Sequence, residues 1–362
     1  MHASLTNNDL FANASSAHGL AYSVDESIQQ ARTLVGKLVN GEPESIIFTS
    51  GATESNNLAL LGLSDSLKQK SKTHIISSST EHKAILDTLK HLSLLSHSVT
   101  LVNPDINGNI SIIDIKKAIT EETGLISIMH VNNETGVIQD IAAIGKIAKE
   151  AGAIFHVDAA QSAGKLPIDV KAMNIDLLSL CAHKFYGPKG IGALYIENRL
   201  QQNLSPIFHG GGQEKSLRPG TYPNHQIIGF GKTIELALEN MKVDSVNAQE
   251  IRKTVLIELK DVIARINGSE KEGLPNILNI SFDGVDATTL LTSLQNKVAL
   301  ATGSACNSGT VSASHVLMAM GLTDESLDNA IRISFGRYTT IEQAKKACQL
   351  IKTDIKRIKD YL

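Results

Sequence analysis

The stretch Leu177-Leu178-Ser179-Leu180-Cys181-Ala182-His183-Lys184-Phe185-Tyr186-Gly187-Pro188-Lys189-Gly190-Ile191-Gly192-Ala193-Leu194-Tyr195-Ile196 holds two short apolar runs around a turn-rich centre. Gly187-Pro188 and Lys189-Gly190 break regular structure, so Lys184 is expected on a loop between two strands. Desolvated beside apolar strands, a lysine loses its charge readily and can act as an amine nucleophile, for example toward an aldehyde cofactor. Taken alone, a lysine is a solvated surface charge. The neighbouring sequence decides between the two.

Upstream, Ile154-Phe155-His156-Val157 ends at Asp158, and Leu125-Ile126-Ser127-Ile128-Met129-His130 ends at Asn132-Asn133-Glu134-Thr135-Gly136. Between them, Asp140 can cap a helix with Ile141, Ile144, Ala148 and Ala151 on one face, stopped by Gly152. Ser98–Val102, Ile75-Ile76-Ser77 and Ser45-Ile46-Ile47-Phe48-Thr49 read as further strands, with a helix after the last running through Leu61 and another over 24–39. Short apolar strands alternating with helices imply a mostly parallel sheet covered on both faces. The polar clusters fall past the carboxyl ends of the strands, where open α/β sheets place ligands.

After about Asn240 the pattern changes. A long amphipathic helix is expected with Ile251, Val255, Leu259, Val262 and Ile266 on one face, ending near Gly268. Strands at 276–282 and 331–335, a helix near 287–296 and a final helix with Ala344, Cys348, Ile351, Ile355 and Ile358 inward make a smaller α+β domain. The expected boundaries are 1–244 for the large domain and 245–362 for the small one.

At 362 residues the chain suits more than one core. A formal charge of −3 gives no electrostatic reason to expect direct nucleic-acid or membrane binding. No apolar run is long enough to span a bilayer, and the first residues lack the regions of a signal peptide. Cys181, Cys306 and Cys348 cannot all pair and lie far apart, which fits a reducing, cytoplasmic setting.

Four clusters can be read as one site. Gly51-Ala52-Thr53 lies between strand and helix, suited to a phosphate, or is a plain turn with Thr53 as a cap. Asp158 can pair a protonated ring nitrogen while Lys184 holds an aldehyde, the arrangement expected for pyridoxal phosphate, or Asp158 is a helix cap. Gln161 can reach a ring hydroxyl or lie on the surface. His82 can stack on a ring and move protons, or serve structurally. Cys306, in Ala301-Thr302-Gly303-Ser304-Ala305-Cys306-Asn307-Ser308-Gly309, sits among small residues that suit a mobile, accessible thiol able to deliver sulfur or attack a substrate, or it is an unreactive loop thiol.

Six segments in order resemble the cysteine desulfurases of the NifS/IscS type, pyridoxal-phosphate enzymes of the class-V aminotransferase family. They are Phe48–Asn56, Thr80-Glu81-His82-Lys83-Ala84, His130-Val131-Asn132-Asn133-Glu134, His156-Val157-Asp158-Ala159, His183-Lys184 with Tyr186–Gly190, and Gly303-Ser304-Ala305-Cys306. The resemblance covers essentially the whole chain. It implies a fold-type I α/β architecture, with a mostly parallel large domain and a smaller α+β C-terminal domain, and a homodimer with the active site near the interface.

The resemblance also assigns roles. Lys184 carries pyridoxal 5'-phosphate, Asp158 pairs its ring nitrogen, Gln161 touches its ring oxygen, and His82 stacks on the ring and handles protons. Ala52, Thr53, Cys181 and His183 surround the phosphate, and Thr221 reaches the phosphate of the partner subunit. Arg332 clamps the substrate carboxylate, and Asn133 assists there and also contacts the cofactor. Cys306 takes sulfur from L-cysteine, leaving L-alanine, and passes the persulfide to an acceptor: an iron–sulfur scaffold, a tRNA-thiolation protein or a DNA-sulfur-modification protein. No resident metal is implied, although Cys306 can contact an acceptor's iron–sulfur cluster.

The chain departs from the family in three places. It opens near Asn13-Ala14-Ser15-Ser16-Ala17-His18, without the family's preceding Ala-Thr-Thr-like segment. It has Cys181 where serine is usual, a weaker donor to phosphate. It ends at Tyr361-Leu362 without the scaffold-docking tail. The alternatives are another fold-type I enzyme, such as an aminotransferase, a β-lyase or a selenocysteine lyase, or a weakened dimeric partner protein.

Overall fold

The computed structural model describes residues 1–6, 10–269, 273–302 and 313–360. The chain divides into two compact units. Unit 1 comprises residues 1–102, 112–130 and 140–241, and unit 2 comprises 103–111, 131–139 and 242–362.

In unit 1, α1 (His2–Thr6) and α2 (Gly19–Val39) precede β1 (Ile46–Thr49), α3 (Ala52–Gln69), β2 (His74–Ser78), α4 (Lys83–Leu94) and β3 (Ser98–Val102). Then come α5 (Ile112–Ala118), β4 (Thr123–Met129), α6 (Ile141–Glu150), β5 (Ile154–Asp158), β6 (Leu177–Cys181) and β7 (Gly192–Ile196). The seven strands form one sheet in the order β1-β7-β6-β5-β4-β2-β3. Strand β7 runs antiparallel to both β1 and β6, and the other pairings are parallel. The alternation legible in the sequence therefore builds the mostly parallel sheet it implies. Strands β1, β2, β4, β6 and β7 are buried along their whole length. Apolar runs without alternation are what such covered strands require. Leu58 and Leu63 of α3, Leu89 and Leu92 of α4, and Ile75, Leu125, Leu177 and Leu194 of the sheet share one core.

Helix α7 (Asn224–Leu259) differs from expectation at both ends. It begins well before Asn240, through Gly229-Phe230-Gly231, which reads as a helix breaker. The glycines are there for packing: a Cβ on Gly231 would lie 2.9 Å from Ala31 Cβ, and one on Gly229 would lie 3.0 Å from the Pro188 ring. The helix also stops at Leu259. Residues expected on its continuation lie beyond it: Val262 in a turn, and Ile266 in β8 (Ile263–Asn267). β-branched Val262, Ile263 and Ile266 favour extended backbone, and β8 pairs antiparallel with β9 (Ile277–Phe282).

Unit 2 carries a three-stranded antiparallel sheet in the order β10-β9-β8, with β10 spanning Ala330–Ser334. Its helices are α8 (Ala287–Leu294), α9 (His315–Ala319), α10 (Asp324–Asp328) and α11 (Ile341–Lys359). The last opens with a capping box, Thr340 and Gln343 each accepting from the other's backbone N–H. Ile251, Val255 and Leu259 pack with Leu278, Ile280, Leu290, Ile331, Ile351 and Ile355, and Cys348 is buried among them. Among the described residues no helix is long and apolar enough to cross a membrane.

Candidate active site

In unit 1 the ends of adjacent strands bring the candidate residues together. Strands β5 and β6 are parallel neighbours, with Asp158 opposite Ser179. Asp158 is 6% exposed. Its Oδ1 accepts from Ala160 N at 2.9 Å and its Oδ2 from Asn56 Nδ2 at 2.7 Å. Burial pushes the Asp158 carboxyl up, against these two hydrogen bonds and the charges of His82 and Lys184. A buried carboxylate with both oxygens accepting is disposed to meet a cation. Asn56, from α3, is itself buried, and its Oδ1 has no hydrogen-bond partner among the described residues.

Strand β6 ends at buried Cys181 and passes into a tight 3-10 turn, Ala182–Phe185, closed by Tyr186 in the left-handed region at φ 75°. That turn carries His183 and Lys184, both exposed. The desolvation of Lys184 expected from its apolar flanks is thus not provided by the strands: the turn lifts the side chain off the sheet. Burial, followed by the charge of Asp158, pushes the Cys181 thiol up to about 11, so it is a neutral thiol at ordinary pH. It lies 3.9 Å from His183 Nε2. Burial and the charges of Lys184 and Lys189 lower His183.

Gly192 of β7 lets the β1–α3 turn approach this point. A Cβ there would sit 2.5 Å from Leu180 O and 2.7 Å from Gly51 Cα. Gly51 is the N-cap of α3, has φ 153°, and supplies no side-chain cap. Ala52 and Thr53 follow in the first turn, Thr53 exposed, where helix N–H groups and the dipole favour an anion. Glu54 fixes the turn: its Oε2 accepts from Ser50 N at 2.8 Å and its Oε1 from Arg218 Nε at 2.9 Å.

The Arg218 contact ties α3 to the loop that carries Thr221, which is exposed. The same loop is held by Glu214, 4% exposed, whose carboxylate accepts from Arg32 Nη2 at 2.6 Å, Arg32 Nη1 at 2.9 Å and Phe48 N at 2.6 Å. Glu214→Ala leaves the buried Phe48 amide without its acceptor and takes the carboxylate from half-buried Arg32, which keeps Ile46 O at 2.6 Å and Gln29 Oε1 at 3.1 Å. It is expected to lower the unfolding free energy by about 3–5 kcal/mol, read from denaturant midpoints.

His82 is the N-cap of α4. Its Nδ1 accepts from Ala84 N at 3.1 Å, which assigns the neutral ring's proton to Nε2. Thr53 and His82 line one open groove of about 410 Å³ with Asn57, Lys83, Asp87 and His91. Gln161 is half-buried, and its Oε1 accepts from Lys165 Nζ at 3.4 Å.

In unit 2, Arg332 of β10 and Asn133 meet: Arg332 Nη1 donates to Asn133 O at 3.1 Å. Arg332 Nε is buried with no partner among the described residues. Asn132 Oδ1 shapes the turn by accepting from Glu134 N at 2.9 Å and Thr135 N at 3.0 Å. Cys306 lies outside the described residues. Asn56, Glu54 and Lys165 were given no role from sequence. The sole signal for Lys165 is its spacing of four from Gln161, which places the two on one face of a helical turn.

The chain belongs to the aminotransferase class-V family, which it matches over residues 4–346. It is 46% identical over 358 residues to cysteine desulfurase IscS of Photobacterium profundum, covering 98% of this chain and 88% of that protein. Among solved structures it resembles a NifS-like protein (TM-score 0.89, 33% identity, 98% of this chain and 93% of that one). It also resembles SspA in complex with cysteine (TM-score 0.82, 39% identity, 93% and 95%). The fold is that of the type I pyridoxal-phosphate enzymes, and pyridoxal 5'-phosphate is the cofactor of this family.

The residues present fit that group. Lys184 offers an amine to the aldehyde. Asp158 offers a buried carboxylate to a protonated ring nitrogen. The N-terminus of α3, which has no side-chain cap, with Thr53 and His183, offers donors to the phosphate.

Proposed function

We propose that this chain is a cysteine desulfurase, converting L-cysteine to L-alanine and storing the sulfur on Cys306 as a persulfide for an acceptor protein. The observation that carries this reading is the convergence of Asp158 and Lys184 at the ends of neighbouring parallel strands, in a chain 46% identical to a cysteine desulfurase over nearly its whole length. In this reading residues 1–244 hold the cofactor and 245–362 carry the sulfur-accepting cysteine.

Bound pyridoxal phosphate supplies an electron sink for the bonds around the substrate α-carbon. The chain supplies the rest. Lys184 holds the cofactor by its amine. Asp158 keeps the ring nitrogen protonated, with Asn56 and Ala160 N holding the carboxylate in place. Gln161 meets the ring oxygen, and Ala52, Thr53, Cys181 and His183 enclose the phosphate. His82 holds a proton at Nε2 because Nδ1 is engaged by Ala84 N. Arg332 takes the substrate carboxylate, with Asn133 beside it.

The thiolate of Cys306 attacks the substrate sulfur. The carbon–sulfur bond breaks, its electron pair stays on carbon, and carbon takes a proton to become the methyl group of alanine. Cys306 retains the sulfur as a persulfide, so atoms and electrons balance without an external oxidant or reductant.

The working form in this reading is a cytoplasmic homodimer, with Thr221 of each copy serving the phosphate of the other. The acceptor is an iron–sulfur scaffold, a tRNA-thiolation protein or a DNA-sulfur-modification protein.

The test is to reconstitute the purified chain with pyridoxal phosphate and supply L-cysteine and a reducing thiol. Alanine and sulfide in equal amounts support the reading, and a coloured protein that makes no alanine rejects it. Asp158→Asn keeps the shape and removes the charge. It is expected to lower kcat/KM for L-cysteine by about two to three orders of magnitude, the scale of breaking one side of a buried ion pair.

A further inference from the structure

Lys165 is an amine for which the chemistry above has no use, and it is placed within reach of that chemistry. It follows Gly164, whose backbone sits at φ +73° and whose hydrogen faces the Phe185 side chain. A Cβ there would be 2.5 Å from the ring. This close approach lays residue 165 alongside the turn Ala182–Phe185, in which Lys184 immediately precedes Phe185. The Lys165 side chain is half-buried, and its hydrogen-bond acceptor is Gln161 Oε1 at 3.4 Å. The charged groups acting on it are Lys184 and Cys181, and no carboxylate pairs with it among the described residues. A desolvated ammonium without a carboxylate is a site for an anion.

An amide has one acceptor end and one donor end. With Oε1 turned to Lys165, the Gln161 NH2 is left to face a ligand oxygen, and the ammonium behind it adds positive charge in the same direction.

We propose that Lys165 is a further positioning residue of this site: it fixes the Gln161 amide with its donor end outward and lends charge that holds an anionic ring oxygen of the cofactor. The inference rests on the reading of Gln161 as the residue that meets the ring oxygen. It adds a residue to the site and a pH dependence.

Burial and the charge of Lys184 lower Lys165 to about 8. The sign follows. The positive charge is present below that value and is lost as pH rises through it, so the contribution to anion binding fades on the alkaline side. The other titratable groups around the site are Asp158 at the end of β5, Cys181 at the end of β6, His183, Lys184 and Lys189 on the following turn, and His82 ahead of α4. Comparison of variants at residue 165 separates its contribution from theirs.

The experiment measures binding by equilibrium dialysis, using pyridoxine 5'-phosphate, which has no aldehyde for Lys184, and its 3-deoxy counterpart, which lacks the ring oxygen. Lys165→Met is expected to weaken the first ligand about tenfold or more at pH 7 and to leave the second unchanged. Lys165→Arg is expected to restore affinity. In the wild type, the preference for the first ligand should shrink as pH rises above about 8. The wild-type profile needs no variant to fold. Equal binding of the first ligand by wild type and Lys165→Met, or an equal loss for both ligands, overturns the inference while the cofactor reading stands. Failure of the wild type to take up pyridoxal phosphate overturns both.

Discussion

Lys184→Ala is expected to abolish the visible band of the reconstituted protein and to reduce alanine formation by about four to six orders of magnitude, the scale on which enzymes lose an irreplaceable covalent residue. The reason is local. The tight turn after β6 places one amine beyond the strand ends, beside Asp158 and the first turn of α3. Lys165 is another amine whose charge interacts with Lys184, but it is directed to Gln161 Oε1. It is therefore not expected to rescue the variant. Absorbance titration and an alanine assay, read beside the circular dichroism of the same preparation, separate loss of the cofactor linkage from loss of fold. Retention of both band and activity would show that Lys184 is not the carrier.

Cys306→Ala is expected to act differently. Cofactor uptake, and the absorbance change on adding L-cysteine, should remain as in the wild type, because every residue assigned to the cofactor lies elsewhere in the chain. Alanine formation should fall by about three orders of magnitude or more, because the attacking thiolate is gone and a methyl group cannot accept sulfur. This variant also separates the desulfurase from an aminotransferase or a β-lyase on the same scaffold. Those enzymes need the lysine and the aspartate but no cysteine at this position. A Cys306→Ala protein that still released sulfur from L-cysteine at the wild-type rate would assign the chain to the β-lyase class.

Much of this site was legible in the sequence because it is built at strand ends. Ile154–Asp158 and Leu177–Cys181 announce themselves as apolar runs stopped by polar residues, and the sheet topology then brings Asp158 and the Lys184 turn together. What stayed hidden depends on approach distance and on orientation. Gly192 and Gly164 look like ordinary glycines until the Gly51 turn and the Phe185 ring are seen against them. The start of α7 was hidden for the same reason, since Gly229 and Gly231 serve packing rather than a turn. The exposure of Lys184 could not be read from its apolar flanks, because it follows from the turn geometry and the left-handed Tyr186. The Glu54–Arg218 and Glu214–Arg32 pairs join residues 164 and 182 positions apart, separations over which a single sequence shows no periodic signal.

The central claim is that sulfur from L-cysteine comes to rest on one cysteine of this chain. A single-turnover reaction of the reconstituted protein with L-cysteine, quenched with an alkylating agent and mapped by peptide mass spectrometry, tests it directly. The account predicts one extra sulfur on the peptide containing Cys306, none on those containing Cys181 or Cys348, and one alanine released for each persulfide formed. Alanine released with no sulfur added to Cys306, or the added sulfur found on Cys181, would contradict it.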